Sequence, residues 1–134
     1  MKTIQHTVLA LSLASLTSLA TAADLVVIAN PAVGPLTKDQ VADLFLGKNP
    51  ALTPFDQADG APIYAEFYKK ATGRDPAQVK STWSRIVFTG KGQPPKQLPD
   101  SAAVKKAVAA DPKGVGYIEK SAVDGTVKAV LSLD

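Results

Sequence analysis

The sequence has 134 residues, with 15 basic and 12 acidic side chains, a formal net charge of +3, one histidine and no cysteine. This length predicts one domain with a proper hydrophobic core. The absence of cysteine excludes a disulfide framework, a thiol nucleophile and a lipoprotein cleavage site. The charge is small and dispersed, so nucleic acid is not an expected partner.

The first 22 residues predict a cleaved secretory signal peptide. Lys2 supplies the positive start, residues 8–19 form an apolar run broken only by Ser and Thr, and Ala20-Thr21-Ala22 matches the small-residue cleavage pattern. The apolar run is too short to be a comfortable membrane span. We therefore expect a periplasmic protein with a single domain over residues 23–134.

Cleavage would also remove His6, the one histidine, and leave a chain with neither histidine nor cysteine. Hydrolysis by a serine-histidine-aspartate triad and ordinary zinc or copper sites all need one of those side chains. Asp56 and Asp59 next to Gly60 superficially resemble a cation loop, but the rest of that pattern is missing. A strand end at Asp56 and a turn cap at Asp59 are the favoured roles. We expect no enzyme, no metal site and no cofactor.

In chain order, the apolar run at residues 25–29 predicts a strand buried on both faces, which Asn30-Pro31 ends. Thr37 with Gln40 three residues on predicts a capping box, and Gly47 the end of that helix. A second strand is expected at 52–56. Pro62 then suits the first turn of a helix that ends at Gly73.

The second half of the chain repeats this alternation. Asp75-Pro76 with Gln78 predicts another capped helix, in which Val79, Trp83, Ile86 and Val87 share one buried side. Residues 90–99 are rich in glycine and proline and predict a loop without regular structure. A further helix starts at residue 100 or 101, and strands are expected at 115–118 and 126–133. The order predicts an α/β fold, a mixed sheet of about four or five strands flanked by helices.

In open α/β sheets, ligands lie beyond the carboxyl ends of strands, near the starts of the following helices. This rule selects Asn30 after the first strand and the segment of Gln57, Asp59, Gly60 and Ala61 after the second. The amide groups at the start of the next helix would suit a small anion. Tyr64 in its first turn could stack on a ligand or pack in the core.

Three segments in fixed order carry a family resemblance: TKDQVADLFLGK (37–48), STWSRIVFTGKGQPP (81–95) and KGVGYIEKSAVDG (113–125). From about Leu25 onward the chain resembles one lobe, the second, of the phosphate-binding component of ABC importers. The resemblance implies the three-layer single lobe of a type 2 periplasmic binding protein. It also implies a phosphate-like anion as ligand and a membrane transporter as partner.

The same resemblance raises a question about ligand capture. In relatives the segment matching residues 56–64 usually carries a glycine-serine pair and a nearby arginine, whereas this chain has Ala61 for the serine and neither Ile63 nor Tyr64 is arginine. Losing two donors to a charged group would weaken binding roughly a hundredfold to ten-thousandfold.

Two hypotheses therefore remain. The chain is an exported small-anion binding protein, its half-cleft completed by a homodimer or a membrane receptor, or it is a periplasmic adaptor that keeps the fold but not ligand capture. Gly60 at a helix start favours the binding protein, and Ala61 in place of a donor favours the adaptor.

Overall fold

The computed structural model describes residues 24–133, so the predicted signal peptide lies outside the described residues. Five strands, four α-helices and one 3-10 turn follow one another in this part of the chain. The elements are β1 (Leu25–Ala29), α1 (Lys38–Phe45), β2 (Thr53–Gln57), α2 (Pro62–Thr72), α3 (Pro76–Phe88), β3 (Lys96–Leu98), α4 (Ser101–Ala110), β4 (Gly114–Glu119), the 3-10 turn (Lys120–Ala122) and β5 (Lys128–Leu133). Within residues 24–133, no helix has both the length and the apolar character needed to cross a bilayer.

The five strands form one mixed sheet in the order β3-β2-β4-β1-β5. Strand β2 runs parallel to β3 and β4, whereas β1 runs antiparallel to β4 and β5. Ala29, at the end of β1, pairs with Val115, and Pro54, near the start of β2, pairs with the same residue from the other side. The carboxyl ends of β1 and β2 therefore lie at opposite edges of the sheet.

Helices cover both faces of the sheet and make a three-layer structure. All five residues of β1 are buried, as expected of a strand that is covered on both sides. On one face, Val26 and Ile28 pack in a cluster with Val104 and Val108 of α4. On the other face, the larger cluster joins alternate β1 residues to apolar side chains of α1, α2 and α3. The predicted α/β class and mixed sheet are confirmed.

The predicted helix caps are present. The Thr37 hydroxyl accepts from the Gln40 amide (3.2 Å) while the Gln40 side chain accepts from the Thr37 amide (2.8 Å). Asp75 and Gln78 make the same reciprocal pair at the start of α3 (2.9 and 3.0 Å). Gly73 ends α2 in the left-handed conformation, with φ of 72°. These caps satisfy backbone groups that the helices leave unpaired.

Three local predictions need correction. The segment 90–99 contains a short strand, β3, which adds to the sheet by pairing with β2. Val87 does not share the buried side of α3, because the last turn of that helix extends past the core and leaves Val87 43% and Phe88 92% exposed. The last strand starts at Lys128 rather than at residue 126, because Thr126 donates to Asp124 within a turn.

Candidate functional site

The candidate site lies where β2 ends and α2 begins. Asp56 and Gln57 close the strand and are buried, a turn follows in which the Ala61 amide donates to the Ala58 carbonyl (2.9 Å), and Pro62 starts the helix. The predicted site residues from Gln57 to Tyr64 are therefore grouped at one edge of the sheet.

Asn30 does not join this group. The carboxyl-end rule selects Asn30 together with the Gln57 segment, but β1 runs antiparallel to β4 and β2 runs parallel to it, so the two strands end on opposite sides of the sheet. The Asn30 side-chain amide donates to the carbonyls of Val108 and Ala109 (3.1 Å each), and its oxygen accepts from the Ala32 amide (2.9 Å). Asn30 thus satisfies carbonyls at the carboxyl end of α4, which is a structural role.

Gln57 is 3% exposed and its side chain points into the protein. Its amide nitrogen donates to the Ser101 hydroxyl (3.0 Å) and to the Tyr117 carbonyl (3.1 Å). These bonds link β2 to β4 and to the first turn of α4. Because its side-chain nitrogen is already bonded within the protein, Gln57 stabilises the end of β2 and does not face a ligand.

Asp56 is the centre of a buried polar cluster. The Tyr68 hydroxyl donates to one carboxylate oxygen (2.6 Å), while the Tyr117 hydroxyl and the Gln57 backbone N–H (3.0 Å) donate to the other. Burial raises the pKa of Asp56 to about 6, although these three donors oppose the shift. The prediction that Asp56 simply ends a strand misses this role. The signal available in the sequence was a carboxylate inside a strand together with Tyr117 in the middle of a buried one.

The three tyrosines around this carboxylate remain protonated at physiological pH. Burial, and then the charges of Asp56 and Asp59, raise the pKa of Tyr64 to about 12. Burial followed by the Asp56 charge raises the pKa of Tyr68 and of Tyr117 well above the usual range. Each hydroxyl that contacts Asp56 is therefore a hydrogen-bond donor.

The start of α2 offers an anion few donors. Ala61 at the N-cap makes no side-chain cap bond, Pro62 has no amide hydrogen, and the Tyr64 amide donates to the Ala61 carbonyl (3.0 Å). Asp59 does not cap the helix; its carboxylate pairs with the Lys80 ammonium at 3.1 Å, and both side chains are well exposed. The edge of the sheet thus carries two carboxylates and one ammonium group.

A pocket of about 570 Å³ opens beside this edge, between α2, α3 and the segment before β3; we call it the α2–α3 pocket. Its acidic part consists of Asp56 and Asp59, and Lys80 lies next to them. Its apolar part consists of Trp83, Val87, Phe88, Pro94 and Pro95. Tyr64 lines the pocket as well, so two of the predicted site residues, Asp59 and Tyr64, border this cavity. Within residues 24–133, no group of three or more acidic or histidine side chains is placed to hold a metal ion.

Comparison with known proteins identifies the architecture. An ABC-type phosphate transport receptor from Vibrio cholerae superposes with a TM-score of 0.62 at 17% identity over 81% of this chain and 45% of that one. A phosphate-bound protein from Clostridium perfringens, assigned as a phosphate ABC transporter substrate-binding protein, gives 0.62 at 20% identity over 81% and 44%. The chain shares their fold.

PstS from Borrelia burgdorferi superposes with a TM-score of 0.52 at 12% identity over 73% of this chain and 41% of that one. The chain therefore spans less than half the length of each of these three solved structures. No protein-family model matches the sequence, and no curated protein matches it either. The predicted resemblance is confirmed at the level of the fold.

Proposed function

We propose that this chain is an exported, non-catalytic binding module that uses the fold of a substrate-binding protein as an adaptor. In this proposal a protein partner docks in the α2–α3 pocket. One observation carries the proposal: Phe88, a large aromatic side chain, is 92% exposed and lines a pocket together with other apolar side chains and two carboxylates.

The apolar surface supports a partner rather than a core role. Val87 and Phe88 are the two large apolar side chains that the described part of the chain leaves exposed, and they lie in consecutive positions beside Pro94 and Pro95. Contiguous exposed apolar surface of this kind is typical of interaction sites. The prolines stiffen the segment facing α3, so less conformational entropy is lost on docking.

The charges select the kind of partner. Asp59 is paired with Lys80, so the net charge of the pocket lining is that of Asp56, which has a pKa of about 6 and is mainly ionised at neutral pH. The resulting field opposes an anion such as phosphate and favours a cation. We infer that the partner inserts a lysine or arginine side chain flanked by apolar residues. The signal-like pattern of residues 1–22 supports a periplasmic setting for this interaction.

Labelled nine-residue peptides test this proposal by fluorescence polarisation. The peptides differ only in a central residue, which is lysine, norleucine or glutamate between leucines, and the lysine peptide should bind most tightly. Phe88→Ser should weaken binding of the lysine peptide by roughly tenfold or more, because burying a phenylalanine contributes about 1.5 to 3 kcal/mol.

The charge part of the proposal has its own control. Asp59→Asn should reduce the preference for lysine over norleucine, whereas Asp39→Asn, which removes an exposed carboxylate on α1, should not. Equal affinity for all three peptides, or no binding of any of them at millimolar concentration, would contradict the adaptor proposal.

Capture of a small anion is the second candidate function. It is favoured by the uncapped N-terminus of α2 and by the open space around Gly60, where an added Cβ would meet no atom within 4 Å. One of the neighbours with the same fold holds bound phosphate. Under this candidate, Gly60, Ala61 and Tyr64 contact the anion, and a homodimer or a membrane transporter completes the cleft.

Calorimetry with phosphate, sulfate and small carboxylates, combined with a molecular mass measurement, separates the two candidates. Saturation at one anion per chain or per dimer would support anion capture, and Ala61→Arg should then alter the affinity. Asp59→Asn gives opposite results for the two candidates: it should strengthen anion binding by removing a repelling charge, but weaken binding of the lysine peptide.

A further inference from the structure

A second pocket, with the opposite charge, lies where α1 and α3 end. Its volume is about 400 Å³, and four cationic side chains line it: Lys48, Arg74, Arg85 and Lys91. None of its lining residues in the described part of the chain is acidic. We call it the basic pocket. It is separate from the α2–α3 pocket, since the two share no lining residue.

The two lysines reach the basic pocket through the same local structure. Helix α1 ends with Gly47 at φ of 83°, and the Lys48 amide bonds back to the Asp43 carbonyl (2.8 Å). Helix α3 ends with Gly90 at φ of 71°, and the Lys91 amide bonds back to the Ile86 carbonyl (3.1 Å). This is the Schellman ending, in which left-handed glycine lets backbone amides satisfy the last carbonyls of a helix. The sequence Gly-Lys thus occurs twice with one geometry.

Neither lysine ammonium is needed to cap its helix, because backbone amides already bond to those carbonyls. A purely structural explanation would have the four cations balance the two helix carboxyl ends, each of which carries about half a negative charge. Four positive side chains and two helix ends of about half a negative charge each leave a net charge of about +3 in the basic pocket. Within residues 24–133, none of the ion pairs involves these four side chains.

Arg74 is held in one orientation by a hydrogen bond to α3. It is half-buried, and its guanidinium donates to the Thr82 hydroxyl (3.0 Å), which in turn donates to the Gln78 carbonyl (3.0 Å). One N–H group of the guanidinium is used in this way. The other N–H groups make no hydrogen bond to residues 24–133, so they are free to bind an anion. A guanidinium fixed in one orientation matches the oxygens of a phosphate group well.

We infer that the basic pocket binds a small anion with two or more phosphate-type charges, of which pyrophosphate is the simplest probe. The volume is within the range of small-molecule pockets, and one singly charged ion would leave most of the positive charge uncompensated. This site does not depend on the proposed function, since it uses neither the edge at Gly60 nor the α2–α3 pocket.

Calorimetry of the full chain with pyrophosphate tests the inference. The double variant Lys48→Gln/Lys91→Gln should bind about a hundredfold more weakly, roughly tenfold for each charged hydrogen bond lost. The control is Lys106→Gln/Lys113→Gln, which changes the net charge equally at exposed lysines outside the basic pocket and should bind as tightly as the unchanged chain. Trp83 fluorescence confirms that both variants are folded, because that side chain is buried.

The phosphate groups could belong to a soluble anion or to lipid headgroups, so a second measurement uses vesicles. Co-sedimentation with phosphatidylglycerol vesicles that pyrophosphate abolishes, and that is lost in Lys48→Gln/Lys91→Gln, identifies headgroups as the source. Binding of pyrophosphate without vesicle binding identifies a soluble anion. No saturable heat with millimolar pyrophosphate, or equal loss of binding in both double variants, would overturn the inference. Retained binding of the lysine peptide by Lys48→Gln/Lys91→Gln would show that the two pockets act independently.

Discussion

Removing the hydroxyl of Tyr117 provides the sharpest test of the buried cluster around Asp56. The Tyr117 ring is stacked on Phe67, with centroids 3.8 Å apart and planes 5° apart, and Phe at this position keeps that contact. The change removes one of the three donors to the Asp56 carboxylate and an acceptor of the Gln57 backbone N–H, which lies 3.2 Å from the Tyr117 hydroxyl oxygen. The packing is therefore preserved while the charge loses a partner.

The expected loss of stability depends on pH. Above pH 7, Asp56 is mainly ionised because its pKa is about 6, and a hydrogen bond to a charged group contributes about 1.5 to 3 kcal/mol. At pH 4.5 the folded protein holds Asp56 protonated, so the lost bond is between neutral groups and contributes about 0.5 to 1.5 kcal/mol. The free energy of unfolding of Tyr117→Phe should therefore fall more at pH 8 than at pH 4.5. The pKa of Asp56 should rise further in this variant.

Urea unfolding followed by fluorescence at pH 8 and pH 4.5 measures the difference. The sequence has one tryptophan, Trp83, whose indole nitrogen donates to the Phe45 carbonyl (3.0 Å) in the core, so its emission reports global unfolding. Tyr64→Phe is the matched control, because Tyr64 is also buried but donates no hydrogen bond to Asp56. Equal losses at the two pH values would refute the assignment of the Tyr117 bond to an ionised carboxylate.

Three other substitutions follow from the same contacts. The folded-state pKa of Asp56, about 6, exceeds its unfolded value of 3.8, so the stability linked to its protonation is complete below pH 3.8 and is lost as the pH rises through 6. Asp56→Asn should remove this loss of about 3 kcal/mol, measured as the difference in the free energy of unfolding between pH 3 and pH 8. Asn30→Ala should lower the free energy of unfolding by about 1 to 3 kcal/mol, because the Val108 and Ala109 carbonyls lose their donor. Ligand binding should not change, and an altered affinity would contradict the structural role of Asn30. Gly47→Ala should lower the free energy of unfolding by about 1 to 3 kcal/mol, since its φ is 83° and a Cβ would lie 2.9 Å from Ile86 and 3.0 Å from Trp83. Gly34→Ala is the control: it has open space around it, so thermal unfolding should show no change in stability.

Local signals in the sequence predicted most of the elements. The capping boxes at Thr37 and Asp75 join residues three apart, and a left-handed glycine ends its helix through bonds to carbonyls of the preceding turn. Patterns of this kind are complete within a few residues, so they can be read without knowing the rest of the fold. The apolar run of β1 likewise indicated a strand covered on both faces.

The candidate site was predicted only where it is continuous in sequence. Residues 57–64 are grouped because they are neighbours along the chain, and the contribution of Tyr64 to the pocket follows from its place in the first turn of α2. Asn30 was misplaced because the prediction needed the direction of β1, which depends on how that strand pairs with β4. The exposed end of α3 was also missed, because helical periodicity gives the spacing of apolar residues but not the point at which the core stops.

The sequence by itself determined the order of the four helices and of four of the five strands, the helix caps, and the exclusion of cysteine and histidine chemistry over the predicted mature chain. Tertiary structure alone decided the edge at which β1 ends, the burial of Asp56 between two tyrosines, and the separation of an acidic pocket from a basic one. The physical reason is distance along the chain: the Tyr117 hydroxyl and Asp56 are 61 residues apart, and Asn30 bonds to a carbonyl 78 residues away. Such contacts form only when the whole sheet is assembled.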